Sequence, residues 1–264
     1  MSFLISHSNN EIKTSFNISG SKSESNRLLI LKHLFNDLEI KNLSDSDDTL
    51  VLQEGLSKDS GSVNVHHAGT AMRFLTAYFS TQENKYYEIL GSSRMHERPI
   101  KILVDALNSL GADIKYLGKK GYPPLKINGK KINKFEVSLN ANISSQYITA
   151  LILIGPSLDK GLSINLLGKI TSKPYIEMSI ALLQRIGANA TFINNRIEIK
   201  AIKNKKTCIY NVESDWSSLS YFFSIVALSK KSNLEIGTYF SDSIQGDKKL
   251  IEIYNKLGVK TFFK

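Results

Sequence analysis

Residues 67–79 run His-Ala-Gly-Thr-Ala-Met-Arg and then through Phe74, Leu75, Tyr78 and Phe79, an apolar helix pattern with an arginine in its first turn. A helix start carries partial positive charge and unpaired N–H groups, so a cation there is disfavoured unless an anion binds beside it. Ala68, Gly69 and Thr70 are small enough to leave those N–H groups open to a phosphate or carboxylate. Two readings stand: an anion site, or a core helix whose Arg73 reaches out to solvent.

The run Ser21-Lys22-Ser23-Glu24-Ser25-Asn26-Arg27 repeats the anomaly. Ser21 and Glu24 have the spacing of a capping box, which would explain both of them but not Lys22. Lys22 and Arg27 put cations in the first two turns, and the Ser23 hydroxyl suits a phosphate oxygen. Ser144-Ser145-Gln146 offers two hydroxyls and an amide at a third helix start, either to orient a polyol or phosphate or simply as a double N-cap. Ser172-Lys173-Pro174-Tyr175 reads as a proline-initiated helix whose hydroxyl and phenol can reach the same ligand.

Between Arg94 and Pro99 the chain reads Arg-Met-His-Glu-Arg-Pro. Glu97 can pair with Arg94 or Arg98 at the surface, an interaction of only ~0–1 kcal/mol. His96 can act as a base, although a lone loop histidine is expected in solvent. His66 and His67 are adjacent and point apart, with no acidic or thiol partner at ligand spacing, so no metal is expected. Asp45, Asp47 and Asp48 read as a helix cap. No Walker-type loop, dinucleotide fingerprint or nucleophile elbow is present.

Composition sets the bounds. A chain of 264 residues, 42% hydrophobic, can bury one large core or two smaller ones. No apolar run approaches the roughly 20 residues that span a bilayer. The start lacks a signal-peptide pattern, and the lone Cys208 allows no internal disulfide, so a reducing cytoplasm is expected. The formal charge of +10 comes from 28 lysines scattered along the chain. Arginine is scarce, and Arg27, Arg73, Arg94 and Arg98 all fall in Gly/Ser/Pro-punctuated segments, a bias towards anion recognition by a few placed forks.

These residues recur in register. Helix starts at Lys22-Ser23, Gly69-Thr70-Ala71, Ser144-Ser145 and Ser217-Ser218 are each followed about 40 residues later by a glycine, namely Gly61, Gly111, Gly187 and Gly258. Each unit reads as a helix, a strand such as Tyr86 to Leu90, a second helix closed by glycine, and further strand. Pro99, Pro174 and Gly246-Asp247 mark the starts of second helices. Three units would pack their helices inward with sheets outside. A fourth, from about residue 211, lacks sister units to bury its apolar face, so the chain is expected to be incomplete at its C-terminal end.

In this order the motifs resemble those of the 5-enolpyruvylshikimate-3-phosphate synthases, the 3-phosphoshikimate 1-carboxyvinyltransferases. The residues that carry the resemblance are Ser21-Lys22-Ser23 with Arg27, His67 to Arg73, Arg94 to Pro99, Ser144 to Gln146, Ser172 to Tyr175, Ser217-Ser218 and Gln245-Gly246-Asp247. They cover essentially the whole chain. The resemblance implies an inside-out α/β barrel fold of βαβαββ repeats in two lobes, with the active site between them. Residues 16–210 would form one complete lobe that binds shikimate 3-phosphate, and residues 1–15 and 211–264 part of a second. The implied reaction moves the enolpyruvyl group of phosphoenolpyruvate to the 5-hydroxyl of shikimate 3-phosphate, through a tetrahedral adduct that expels phosphate, on the shikimate route to chorismate and the aromatic amino acids. Neither metal nor organic cofactor is implied, nor a nucleic-acid or membrane partner, and the full-length enzyme is expected to be a cytoplasmic monomer.

By the same resemblance Lys22 should touch both substrates. Ser23, Arg27, Ser144, Ser145, Gln146, Ser172 and Tyr175 should hold shikimate 3-phosphate, while His67, Gly69 and Arg94 should hold phosphoenolpyruvate, with Gln146 reaching towards it. Gly69→Ala should crowd the pocket against glyphosate-like analogues. Two departures stand out. His67 replaces an asparagine common in the family, and the acid, base and further cationic residues of the second lobe have no counterpart before Lys264. The 264-residue chain is therefore expected to be inactive, or nearly so, alone. Two rivals remain: an enolpyruvyl transferase acting on a UDP-amino sugar, whose usual signature is a reactive loop cysteine, and a non-enzymatic nucleic-acid binder.

Overall fold

The computed structural model of the protein describes residues 11–35, 37–202 and 207–264. In chain order it begins with β1 (Glu11–Asn17), α1 (Lys22–Phe35), β2 (Leu38–Lys41) and α2 (Asp47–Ser57). A full unit follows: β3 (Gly61–Asn64), α3 (Gly69–Ser80), β4 (Tyr86–Leu90), α4 (Lys101–Leu110), β5 (Asp113–Tyr116) and β6 (Leu125–Asn128). The next has the same order: β7 (Glu136–Asn140), α5 (Ser145–Ile154), β8 (Leu162–Leu167), α6 (Lys173–Arg185), β9 (Ala190–Ile193) and β10 (Arg196–Ile199). The chain continues through β11 (Cys208–Asn211), α7 (Trp216–Leu228), β12 (Lys231–Gly237) and α8 (Leu250–Asn255).

The repeat is visible in the hydrogen bonding. The two full units form four-stranded sheets of matching order, β3-β4-β6-β5 and β7-β8-β10-β9, in which the first pair is parallel and the others antiparallel. Gly111, Gly187 and Gly258 follow the second helices at φ 110°, 90° and 85°, a left-handed exit that a Cβ would strain. Gly61 is also left-handed, but it opens β3 rather than closing α2.

Helices lie inside and sheets outside. In α5 the sequence Tyr-Ile-Thr-Ala-Leu-Ile-Leu-Ile is apolar on every face, and Tyr147 to Ile154 are all buried against α1, α3, α4 and α6. The strands alternate, as in β7, where Val137 and Leu139 turn inward while Glu136, Ser138 and Asn140 face water. This is the α/β, inside-out architecture expected of the repeat.

The two smaller sheets join strands that are far apart in sequence. β11 lies parallel to β2, with Cys208 opposite Leu38, and β1 lies parallel to β12, with Glu11 opposite Lys231. The chain thus crosses twice between a larger and a smaller body. The crossings are tied side by side: Gly20 bridges Ser214, the Ser21 N–H donates to the Glu213 carbonyl (2.8 Å), and the Asp215 N–H donates to the Ser19 carbonyl (3.1 Å). β1 stays with the smaller body to Asn17, and Val212 still packs in the larger core, so the crossings fall slightly beyond residues 16 and 210. The share of the second lobe expected on residues 1–10 lies outside the described residues.

The larger body has one continuous core from Leu28 to Val212. The smaller one centres on Trp216, Leu219, Phe223 and Val259, and its α7 leaves Tyr221 (73%) and Leu228 (88%) exposed. α7 is capped by Asp215, which accepts from the Ser218 N–H (2.7 Å), so Asp215 rather than the Ser217-Ser218 pair starts that helix.

Candidate active site

Side-chain bonds tie together the first two turns of α1, α3, α5 and α6. Lys22 is exposed at the start of α1, Ser23 is half-buried, and Arg27, one turn on, is buried. The Arg27 Nε donates to Ser179 Oγ (2.9 Å) on α6 and Nη1 to the Ser23 carbonyl (2.7 Å). Nη2 reaches Thr149 Oγ1 on α5 and the Tyr175 carbonyl, both at 3.4 Å. All four partners are neutral oxygens. Burial lowers the Arg27 pKa to about 10, with Tyr175 and Glu24 acting the other way. Tyr175 is 42% exposed beside this guanidinium, 5.8 Å from it by ring centroid.

The expected capping box is only half made. The Glu24 N–H approaches Ser21 Oγ at 3.5 Å, but the Glu24 carboxylate turns away from the helix start to Tyr210 and Gln245. Partners distant in sequence outcompete the local bond, which spacing alone could not reveal.

At α5, Ser144 Oγ accepts from the Gln146 N–H (3.4 Å) and Ser145 is buried, so one serine caps rather than two. The Gln146 side chain crosses to α3, donating to Thr70 Oγ1 (3.2 Å). At the start of α3, Gly69 is buried and the Arg98 guanidinium lies over it: a Cβ there would stand 2.1 Å from Arg98 Nη1. The same Nη1 donates to the carbonyl of exposed His67 (3.3 Å).

Arg73 does not reach out to solvent, as the second reading expects. It is buried, not in solvent, and it folds back on its own helix: Nη1 donates to the Gly69 carbonyl (2.8 Å) and Nη2 to the Pro99 carbonyl (3.5 Å). Its guanidinium lies 5.2 Å from the centroid of the Tyr147 ring, and burial lowers its pKa. The cation at the helix start is therefore Arg98, brought in from a neighbouring loop. His96 also departs from expectation, because its Nε2 is buried without a partner rather than solvated.

The structure thus joins Ser23, Arg27, Tyr175, Gln146, Gly69 and His67 through Thr70, Arg98, Thr149 and Ser179. Lys22 and Ser144 stand at the same helix starts. Ser172 precedes α6 without a capping bond, and Arg94 is exposed just before a 3-10 turn at Met95–Glu97; no side-chain bond links either to the cluster among the described residues. Thr149 and Ser179 lie outside the site residues expected from sequence, although each is four residues after a candidate, Ser145 and Tyr175, and so shares its helix face. From the smaller body the Gln245-Gly246-Asp247 loop abuts the start of α6, where a Cβ on Gly246 would meet Pro174 at 3.0 Å.

Among the described residues no cluster of His, Cys, Asp and Glu could hold a metal, and no helix is long and apolar enough to cross a membrane. Cys208 lies within β11, not in a loop.

A family model described as EPSP synthase (3-phosphoshikimate 1-carboxyvinyltransferase) matches residues 52–261. The chain is 42% identical to the 3-phosphoshikimate 1-carboxyvinyltransferase of Bacteroides fragilis (strain YCH46) over 95% of its own length and 61% of that protein's. It is 35% identical to the enzyme of the same name from Marinomonas sp. (strain MWYL1), over 97% of this chain and 65% of that one. It therefore spans roughly three fifths of the length of these relatives. A solved EPSP synthase from Acinetobacter baumannii superposes with a TM-score of 0.74 at 18% identity, over 92% of this chain and 59% of that one, which bears on the fold. Neither rival reading, the UDP-amino-sugar enzyme or the nucleic-acid binder, is favoured by these matches. On the repeat, the helix-start cluster and the match across residues 52–261, the chain belongs to the EPSP synthase family, the 3-phosphoshikimate 1-carboxyvinyltransferases.

Proposed function

We propose that this chain binds shikimate 3-phosphate on the first turns of α1, α5 and α6 and phosphoenolpyruvate at the start of α3. The reaction it serves is transfer of the enolpyruvyl group to the 5-hydroxyl with release of phosphate. Arg27 carries this reading: a buried guanidinium whose protein partners are all neutral favours an anionic ligand as its counter-charge. Lys22, Ser23, Ser144, Ser145, Gln146, Ser172 and Tyr175 complete the shikimate 3-phosphate side. Gly69, His67 and Arg94 form the phosphoenolpyruvate side, with Lys22 and Gln146 shared. Fixed cations and N–H groups hold two anions that would repel each other in water, and such positioning contributes several kcal/mol to lowering a barrier. The larger lobe, from beyond Asn17 to Val212, supplies this wall of the site, and β1 with the chain after the second crossing belongs to the facing lobe. The same reading makes the enzyme a cytoplasmic monomer that uses no cofactor.

Calorimetric titration of shikimate 3-phosphate into the chain tests it. Binding that inorganic phosphate competes away is expected. Absence of binding, or preference for a UDP-amino sugar or for RNA with steep salt dependence, overturns it.

Gly69→Ala is expected to push Arg98 off the α3 start. Because Arg98 is a flexible side chain, the cost to stability should stay within about 1 kcal/mol. Phosphoenolpyruvate and glyphosate-like anions should then bind about tenfold more weakly, a loss of ~1.4 kcal/mol, with shikimate 3-phosphate unaffected. Equal affinities in titrations of the two forms would contradict this.

A further inference from the structure

Two buried hydroxyls stand outside the expected site residues, yet they hold its buried cation. Thr149, between Ile148 and Ala150 on α5, and Ser179, between Met178 and Ile180 on α6, are fully buried. A hydroxyl in such surroundings costs free energy unless it is hydrogen-bonded. Among the described residues their side-chain oxygens meet Arg27, each other and one carbonyl. Arg27 Nε donates to Ser179 Oγ (2.9 Å) and Nη2 to Thr149 Oγ1 (3.4 Å). The two hydroxyl oxygens lie 3.2 Å apart, and the Ser179 hydroxyl donates to the Tyr175 carbonyl (2.7 Å).

The proton directions follow from this set of partners. Ser179 has one O–H and gives it to the Tyr175 carbonyl, so between the two hydroxyls Thr149 is the donor and Ser179 the acceptor. Both oxygens then turn lone pairs towards the guanidinium. The pair can accept from a cation but has no proton left for an anion, so its influence on a ligand runs through Arg27.

A guanidinium has five N–H groups in one plane. With one acceptor for each, Nε serves Ser179, the two on Nη2 serve Thr149 and the Tyr175 carbonyl (3.4 Å), and one on Nη1 serves the Ser23 carbonyl (2.7 Å). A single N–H, on Nη1, is left over. Each edge that could grip an oxyanion through two N–H groups includes one already bonded to the protein.

We propose that Thr149 and Ser179 are positioning residues: they clamp the Nε/Nη2 edge of Arg27, so that the remaining Nη1 N–H is the corner that meets the anionic substrate. This rests on the reading of Arg27 as a ligand for shikimate 3-phosphate and specifies how that contact is made. The contact is single rather than two-pronged. Because the clamp holds the guanidinium in place beforehand, little rotamer freedom is lost when the ligand arrives.

Nuclear magnetic resonance of the arginine Nε–H groups, combined with calorimetric titration of shikimate 3-phosphate, tests the clamp. In the free parent the Arg27 Nε–H, identified by its loss in Arg27→Lys, should exchange slowly with water, and Ser179→Ala should speed that exchange at least ~10-fold. Saturating ligand should leave the parent's exchange slow, since the ligand takes the other corner. A ligand that displaces Ser179 and exposes this N–H overturns the proposal. Affinity should fall about tenfold in Ser179→Ala and in Thr149→Val, which keeps the shape of threonine without its hydroxyl. Thr149→Ser, which keeps the hydroxyl and loses the methyl, should bind within about threefold of the parent. Affinity that follows shape instead, retained in Thr149→Val and lost in Thr149→Ser, overturns the clamp. If circular dichroism shows Ser179→Ala unfolded, the two Thr149 variants decide. Equal affinity of the parent, Ser179→Ala and Thr149→Val overturns the clamp alone, whereas a parent that binds no shikimate 3-phosphate overturns the substrate reading and the clamp with it.

Discussion

Replacing Arg27 by methionine is expected to abolish binding of shikimate 3-phosphate while leaving the fold within about 2 kcal/mol of the parent. The two effects separate because of how Arg27 is held. Its charge sits in a dry region among hydroxyls and carbonyls, and burial, against the opposing pull of Tyr175 and Glu24, brings its pKa down to about 10, a net penalty on the order of 3 kcal/mol. Methionine removes that penalty together with the hydrogen bonds, and it fills similar space against Phe74 and Tyr175. Thr149 and Ser179 keep each other as partners at 3.2 Å, and Ser179 keeps the Tyr175 carbonyl at 2.7 Å. An anionic ligand, by contrast, loses a charge-assisted contact worth about 2–5 kcal/mol, or roughly 30- to 3000-fold in affinity. Urea denaturation and calorimetric titration on the same preparation measure both quantities. Affinity retained within about threefold would remove Arg27 from the site.

The second large effect is a difference in stability along the chain. Amides of α7 and α8 are expected to exchange with solvent deuterium at least ~100-fold faster than those of α5, a gap of roughly 3 kcal/mol in opening free energy. α5 is wrapped on all sides and opens only when the larger core does. α7 and α8 rest on four buried residues, Trp216, Leu219, Phe223 and Val259, and α7 shows Tyr221, Ile225 and Leu228 to water. A single repeat has no sister unit on its outer side to share a core, so little apolar area resists its opening. Mass-spectrometric exchange of the 264-residue chain decides this, and equal protection of α5 and α7 would show that the two bodies unfold as one.

Much of the fold was legible because the repeat is written locally. Helix starts, left-handed glycine exits and two-residue strand alternation depend on neighbours a few positions away, and the two full units follow that reading closely. The departures occur where a side chain finds a partner far along the chain. Glu24 has capping-box spacing but bonds to Gln245, 221 residues on. Arg73 sits in a helix start yet points inward to the Pro99 carbonyl, leaving Arg98 to cover Gly69. His96 looked like a solvated loop histidine until the packing around it buried its Nε2.

The sequence by itself determined the class of the protein, a repeated α/β chain, and the misplaced cations and hydroxyls at its helix starts are what the proposed anion site is read from. Only the tertiary structure decided how the chain is exchanged between its two bodies, with β1 on β12 and β11 on β2. It alone also decided which guanidinium faces which helix start. The physical reason is the same in both cases. Local geometry is encoded in spacings of a few residues, whereas strand pairing and the burial of an arginine against a serine 152 positions away depend on long-range closure, which leaves no periodic trace in the sequence.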